Sequence, residues 1–227
     1  MEDSFIQIET TLKQNIEDVK KLAGFDNVIL DFSISAIRDL QGKLSKIDIN
    51  NPNLMASTTL TMLENIRSNK SLRPQYETIF NQCVVLQVSV FASSVGDLFR
   101  SAIDILIDTG KSNELKDEEF KLSVRELEEF EYRLDGRIGQ LVAEKNDISF
   151  QDMKSINRAF RKYFSVSIPK DEITNNIIIA QAARNVIVHD AAACNDRLRK
   201  QVSGAIPRDI KSNLSDIQRI QFDPNEI

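Results

Sequence analysis

Arg184, Asn185 and His189 lie within one six-residue stretch, and His189 is the only histidine among 227 residues. A group that exchanges protons near neutral pH without a metal is most simply an imidazole. A planar guanidinium beside it can balance charge gathering on phosphoryl oxygens. With an amide to fix the ring's tautomer or hold a phosphate oxygen, the trio suits attack of an RNA 2′-OH on the adjacent phosphate. That reaction wants both a base and an acid, so one histidine per chain predicts that two chains meet at the site. The plainer alternative is an ordinary packed or surface histidine.

Such a trio needs a helix to gather it. Ile173, Ile177, Ala180, Ala183, Ile187 and Ala191 recur at intervals of three and four. Asp171 and Glu172 suit a helix start, and Arg197, Arg199 and Lys200 suit an end, so residues 171–202 read as one helix. Asn185 and His189 then share a face one turn apart, with Arg184 about 140° away round the axis, within reach for a long side chain. The helix before it, opened by Ser149 as N-cap, turns Met153, Ile156, Phe160 and Phe164 inward. Lys154, Arg158, Arg161 and Lys162 stay outside with Tyr163 beside them. They form either a groove for an RNA backbone leading to the trio or a plain solvated face.

The run Arg184-Asn185-Val186-Ile187-Val188-His189 resembles the R-N-x-x-x-H signature of the HEPN superfamily of helical ribonucleases. The stretch 148–164 is similar to the segment that precedes this helix in RiboL-PSP-HEPN and related stand-alone families, and 82–107 is similar to their long first core helix. The resemblance covers roughly residues 73–202. It implies a helical bundle that dimerises with its motifs facing each other. It also implies metal-independent endoribonuclease activity in toxin–antitoxin or antiviral defence settings, with RNA as substrate and an antitoxin or regulatory protein as a further partner. By position, Arg184 and His189 would be catalytic and Asn185 supporting; Asp190, Asp97 and Arg100 are candidates to support them. The chain departs from the family where many relatives have an acidic residue near Ala92, and in having Asp190-Ala191-Ala192 where they have Asn-Gly-Gly. Ala191 also replaces the tyrosine of a subgroup modified by nucleotide addition. The alternatives are a HEPN module that binds RNA or protein without cutting, and a helical scaffold whose basic face neutralises an acidic partner.

Composition bounds the rest. Seven glycines, five prolines, no tryptophan and 41% hydrophobic residues point to an all-α bundle with short connections and a proper core. No apolar run nears spanning length and the polar amino terminus is unlike a signal peptide, so the expectation is a cytoplasmic protein with no membrane partner. Cys83 and Cys194 lack a disulfide or metal pattern, and no cofactor or metal is expected. The acidic group Glu126, Glu128, Glu129 and Glu131 lacks the spacing of a cation site. The net charge of −5 is uneven: residues 1–150 carry −8 and residues 151–227 carry +3, so the motif lies in the basic part.

In chain order, residues 1–70 read as a helical extension packed on the core, 71–202 as the HEPN-type core and 203–227 as an irregular tail. Helices are expected at 4–23, closed by Gly24, at 28–47 through Phe32, Ile34, Ile37, Leu40 and Leu44, and at 54–66 after a turn at 50–53. From Pro74, Val84, Val88, Phe91, Val95, Leu98, Ala102 and Ile105 form a long seam, either bundle core or dimer contact. A loop at 109–113 precedes a charge-dense helix over 115–145 with Phe120, Val124, Leu127 and Leu141 on its buried side, which Gly136 and Gly139 can kink or break.

Overall fold

In a computed structural model, the described residues are 2–44, 52–69, 73–111, 115–203 and 220. They are helix and turn with no strand, an all-α bundle. The helices among them are α1 (Glu2–Ala23), α2 (Phe25–Leu44), α3 (Pro52–Asn69), α4 (Arg73–Asp108), α5 (Val124–Glu129), α6 (Ile138–Lys145), α7 (Met153–Phe164), α8 (Glu172–His189) and α9 (Asp196–Val202). The expected helix end at 45–47, the first half of the turn at 50–53, the last two residues of the loop at 109–113 and nearly all of the tail lie outside the described residues. Two compact units emerge, one of Met1–Ile16 with Val84–Ile220 and one containing Glu17–Cys83, the divisions falling inside α1 and α4.

The larger unit is built round Phe99. Its ring meets Phe150, Tyr163 and Phe164 at centroid distances of 5.4, 5.5 and 5.4 Å, all tilted or edge-on, and Ala92, Ile103, Val142, Met153 and Ile156 complete the core. α4 buries Val84 and Val88 of the expected seam and then Ala92, Phe99 and Ile103, one position on from it, while Phe91 and Val95 only flank the aromatic cluster. α6 lies so close to α4 that a Cβ on Gly139 would stand 2.1 Å from the Arg100 carbonyl oxygen. The first turn of α6 has no cap of its own, and Asp104 of α4 supplies one by accepting the Gly139 N–H at 2.8 Å. Burial raises the Asp104 carboxyl above its usual range.

Three expectations are corrected here. The helix foreseen over 115–145 is broken: α5 is six residues long, Glu131, Tyr132 and Gly136 take left-handed backbone, and Val124 is 72% exposed instead of buried. The helix foreseen over 171–202 is two, since Ala191 and Ala192 turn left-handed after His189 and Asn195 caps α9. α7 is capped by Asp152, which accepts the Ser155 N–H at 2.8 Å; Ser149 instead accepts from Gln151 three residues earlier, as Phe150 enters the core.

A fourth correction concerns α4. Between Glu77 and Asp108 it is, by length and composition, apolar enough to cross a membrane. Core helices of soluble bundles meet the same test, and Val88, Ala92, Phe99 and Ile103 on it are buried.

In the smaller unit α2 and α3 pack together, tied by Arg38 to Glu64 at 2.5 Å, Arg67 to Asp31 at 2.6 Å and Gln41 to Ser57 at 2.9 Å. Val19, Ala23 and Cys83 form a small apolar cluster with Ile79. Of the expected α2 stripe, among the residues whose burial is described, only Ile34 is fully buried, whereas Phe32 and Leu40 are exposed.

Candidate functional site

α8 carries the trio. Asp171 accepts the Thr174 N–H at 2.8 Å and starts the helix, and this bond holds the Asp171 carboxyl below its ordinary range. The buried residues of α8 are Asn175, Gln181, Ala182, Ala183 and Val186. Of the expected stripe only Ala183 is among them, and Ile173 is 71% exposed. Apolar residues occur right round this helix, so their spacing did not single out its inner face.

The half-buried Arg184 wraps to its neighbour, and its Nη1 donates to Asn185 Oδ1 at 3.1 Å. Asn185 Nδ2 approaches Gln201 Oε1 of α9 at 3.5 Å, a long contact. His189 ends α8, exposed, and its ring makes no hydrogen bond or ion pair among the described residues. The structure thus joins Arg184 to Asn185 and leaves the imidazole open at the helix end. Beyond it, Asp190 and Ala192 both return their N–H groups to Val186 O, at 2.8 and 3.0 Å. Asp190 also accepts from Asn195 Nδ2 at 2.8 Å, and Ile220 donates its N–H to Ala192 O at 2.9 Å. The turn after His189 is therefore held from three sides.

Asp97 and Arg100 pair with each other at 2.8 Å, and the guanidinium lies 6.0 Å from the Phe150 ring centre. Both line a cleft of about 430 Å³ with Ser4, Thr11, Asp104 and Gln140, and none of the trio lines it. The charges there are spent internally, Arg100 on Asp97 and Asp104 on α6.

The basic helix divides. Lys154, Arg158 and Arg161 are exposed on one face of α7, and their side chains have no partner among the described residues. Lys162 behaves differently: it pairs with Glu118, donates to Tyr163 Oη at 2.9 Å and lies 4.6 Å from that ring's centre. Tyr163 is 1% exposed, its hydroxyl donating to Glu118 at 3.0 Å. Lys162 and Tyr163 therefore fasten the 115–123 segment to α7, and the expectation of Tyr163 beside an open groove is corrected: the ring is part of the core. The Lys162 ammonium lowers the Glu118 carboxyl below its usual range, and Glu118 raises Lys162 in return. Among the described residues no group of His, Cys, Asp and Glu is arranged to hold a metal ion.

Sequence reading passed over Gln181. Its side chain is buried on α8, and its Oε1 accepts the N–H of Met153, the first residue of α7, at 2.9 Å. The available signal was an amide amid the apolar run 177–183. Compared with models of protein families, with curated proteins and with solved structures, the chain matches none.

Proposed function

We propose that the protein is a metal-independent endoribonuclease of HEPN type, working as a homodimer on RNA. The observation that carries the reading is an R-N-x-x-x-H run on one helix in which Arg184 is turned onto Asn185 and the only imidazole stands open at the helix end. A basic face on the preceding helix, with three cations unpaired among the described residues, gives the substrate's backbone somewhere to lie.

In the reaction, His189 takes the proton from a 2′-OH and the freed oxygen attacks the adjacent phosphorus. The P–O5′ bond breaks, and the leaving oxygen takes a proton from the second chain's His189, which enters the step as imidazolium and leaves it as neutral imidazole. The products are a 2′,3′-cyclic phosphate and a 5′-hydroxyl. Arg184 balances charge on the non-bridging oxygens, and Asn185 holds the guanidinium in place through its carbonyl.

The test is to incubate the purified chain with mixed RNA in excess chelator and map the new ends. Cyclic phosphates are expected, with His189→Ala and Arg184→Ala each lowering the rate by about 10²–10⁴-fold at unchanged fold and dimer state. Cleavage that survives His189→Ala, or stops in chelator and returns with a divalent ion, overturns the mechanism. RNA binding without any cleavage would favour a module that grips RNA but does not cut it.

A further inference from the structure

We infer that Gln181 is a positioning residue, which fixes the basic face of α7 relative to the Arg184–Asn185 pair of α8 so that a single-stranded RNA gripped by the one helix reaches the other in register. The inference rests on the ribonuclease reading for what the two helices do, and on geometry for how they are joined. The first N–H groups of a helix have no partner within it. In α7, Asp152 satisfies Ser155, and the Met153 N–H is satisfied from α8 by the Gln181 carbonyl oxygen at 2.9 Å. Lys154, which opens the basic face, is the next residue, and on α8 Arg184 lies one turn beyond Gln181. One side chain thus connects the start of the RNA-facing stripe to the helix that bears the guanidinium.

Folding alone is a poor reason for an amide at this place. Gln181 is 4% exposed and its Nε2 has no hydrogen-bond acceptor among the described residues. The buried Nε of Arg184, one turn on, has none either. A buried donor left unmet opposes folding, so the amide loses on one end much of what it gains on the other. An apolar side chain of the same length removes the unmet Nε2 and leaves the Met153 N–H unmet in its place, so one unsatisfied buried donor replaces another and stability changes little. What it would lose is the directional tie to the α7 backbone.

The experiment compares the full chain with Gln181→Met on two substrates: a dinucleotide, which has no further phosphates to lay along α7, and an oligonucleotide of about 20 nucleotides, long enough for the phosphate contacts that set salt dependence. The melting temperature and the dinucleotide rate are expected to stay as in the unaltered chain, while kcat/KM on the long RNA falls about tenfold with a shallower dependence on salt. Equal losses on both substrates would show a merely structural role, and no loss on either would show no role; both overturn the inference. If the unaltered chain cuts neither substrate, the ribonuclease reading fails, and the tie is judged by binding of labelled RNAs of the two lengths. Weakened affinity of Gln181→Met for the long RNA alone then still supports it. Equal affinity, or no binding by the unaltered chain, overturns it.

Discussion

Phe99 and Phe32 are both phenylalanines in long amphipathic helices, and they meet opposite fates. Phe99, in the larger unit, is enclosed by four aromatic rings, whereas Phe32, in the smaller, is 72% exposed. The contrast extends to the helices themselves. α4, α6 and α7 are pressed together until Gly139 touches backbone, while α2 and α3 are tied by surface ion pairs such as Arg38–Glu64 and Arg67–Asp31. Exposed pairs of that kind contribute little, since water and salt screen them. Helical spacing of apolar residues announces a helix in both units, and only the neighbours decide whether its face is covered.

The comparison is sharpest where one change is made in both units. Phe99→Ala is expected to cost about 3–5 kcal/mol in denaturant unfolding, against less than about 0.5 kcal/mol for Phe32→Ala. Similar losses would mean that the smaller unit hides a core of its own. Next come the glycines. Gly139→Ala should cost about 3 kcal/mol, because its methyl would overlap the Arg100 carbonyl, whereas Gly42→Ala, with nothing within 4 Å of the added carbon, should gain up to about 0.5–1 kcal/mol of helix stability.

The carboxylates give a smaller effect with a pH signature. Glu118→Gln is expected to cost about 1–2 kcal/mol at pH 7, and Glu64→Gln less than about 0.5 kcal/mol. Lys162 holds the folded carboxyl of Glu118 below its unfolded value. Its contribution is therefore complete above the ordinary carboxylate range and fades as pH falls through the lowered folded value. The two stability curves should converge in acid, and a difference that persists there would assign the effect to packing. The smallest change lies beside the trio. Ala191 is exposed with φ +50°, so Ala191→Gly should add about 0.5–1 kcal/mol by relieving left-handed strain, checked by calorimetry.

Much of this was legible in the chain. The all-α class, the near-complete outlines of α1 and α7, and the placing of Arg184, Asn185 and His189 on one helix follow from periodicity and end signals. A break at Gly136 was legible, and its φ is +65°; the turns at Glu131, Tyr132, Ala191 and Ala192 were harder, because these residues go left-handed without being glycine and nothing local announces that. The fate of Tyr163 was also hidden. A tyrosine beside cations resembles a stacking platform until Glu118, 45 residues earlier, is seen to accept its hydroxyl. Gln181 escaped because its partner is a backbone N–H of another helix, which no side-chain pattern encodes.

The buried phenol of Tyr163 also gives the protein an optical gauge. The chain has three tyrosines and no tryptophan, and burial pushes this hydroxyl above the usual phenol range. As alkali passes through that range an unfolded chain ionises where the folded one resists, so the larger unit loses stability there. A late step in phenolate absorbance would time the opening of the aromatic cluster with no label attached.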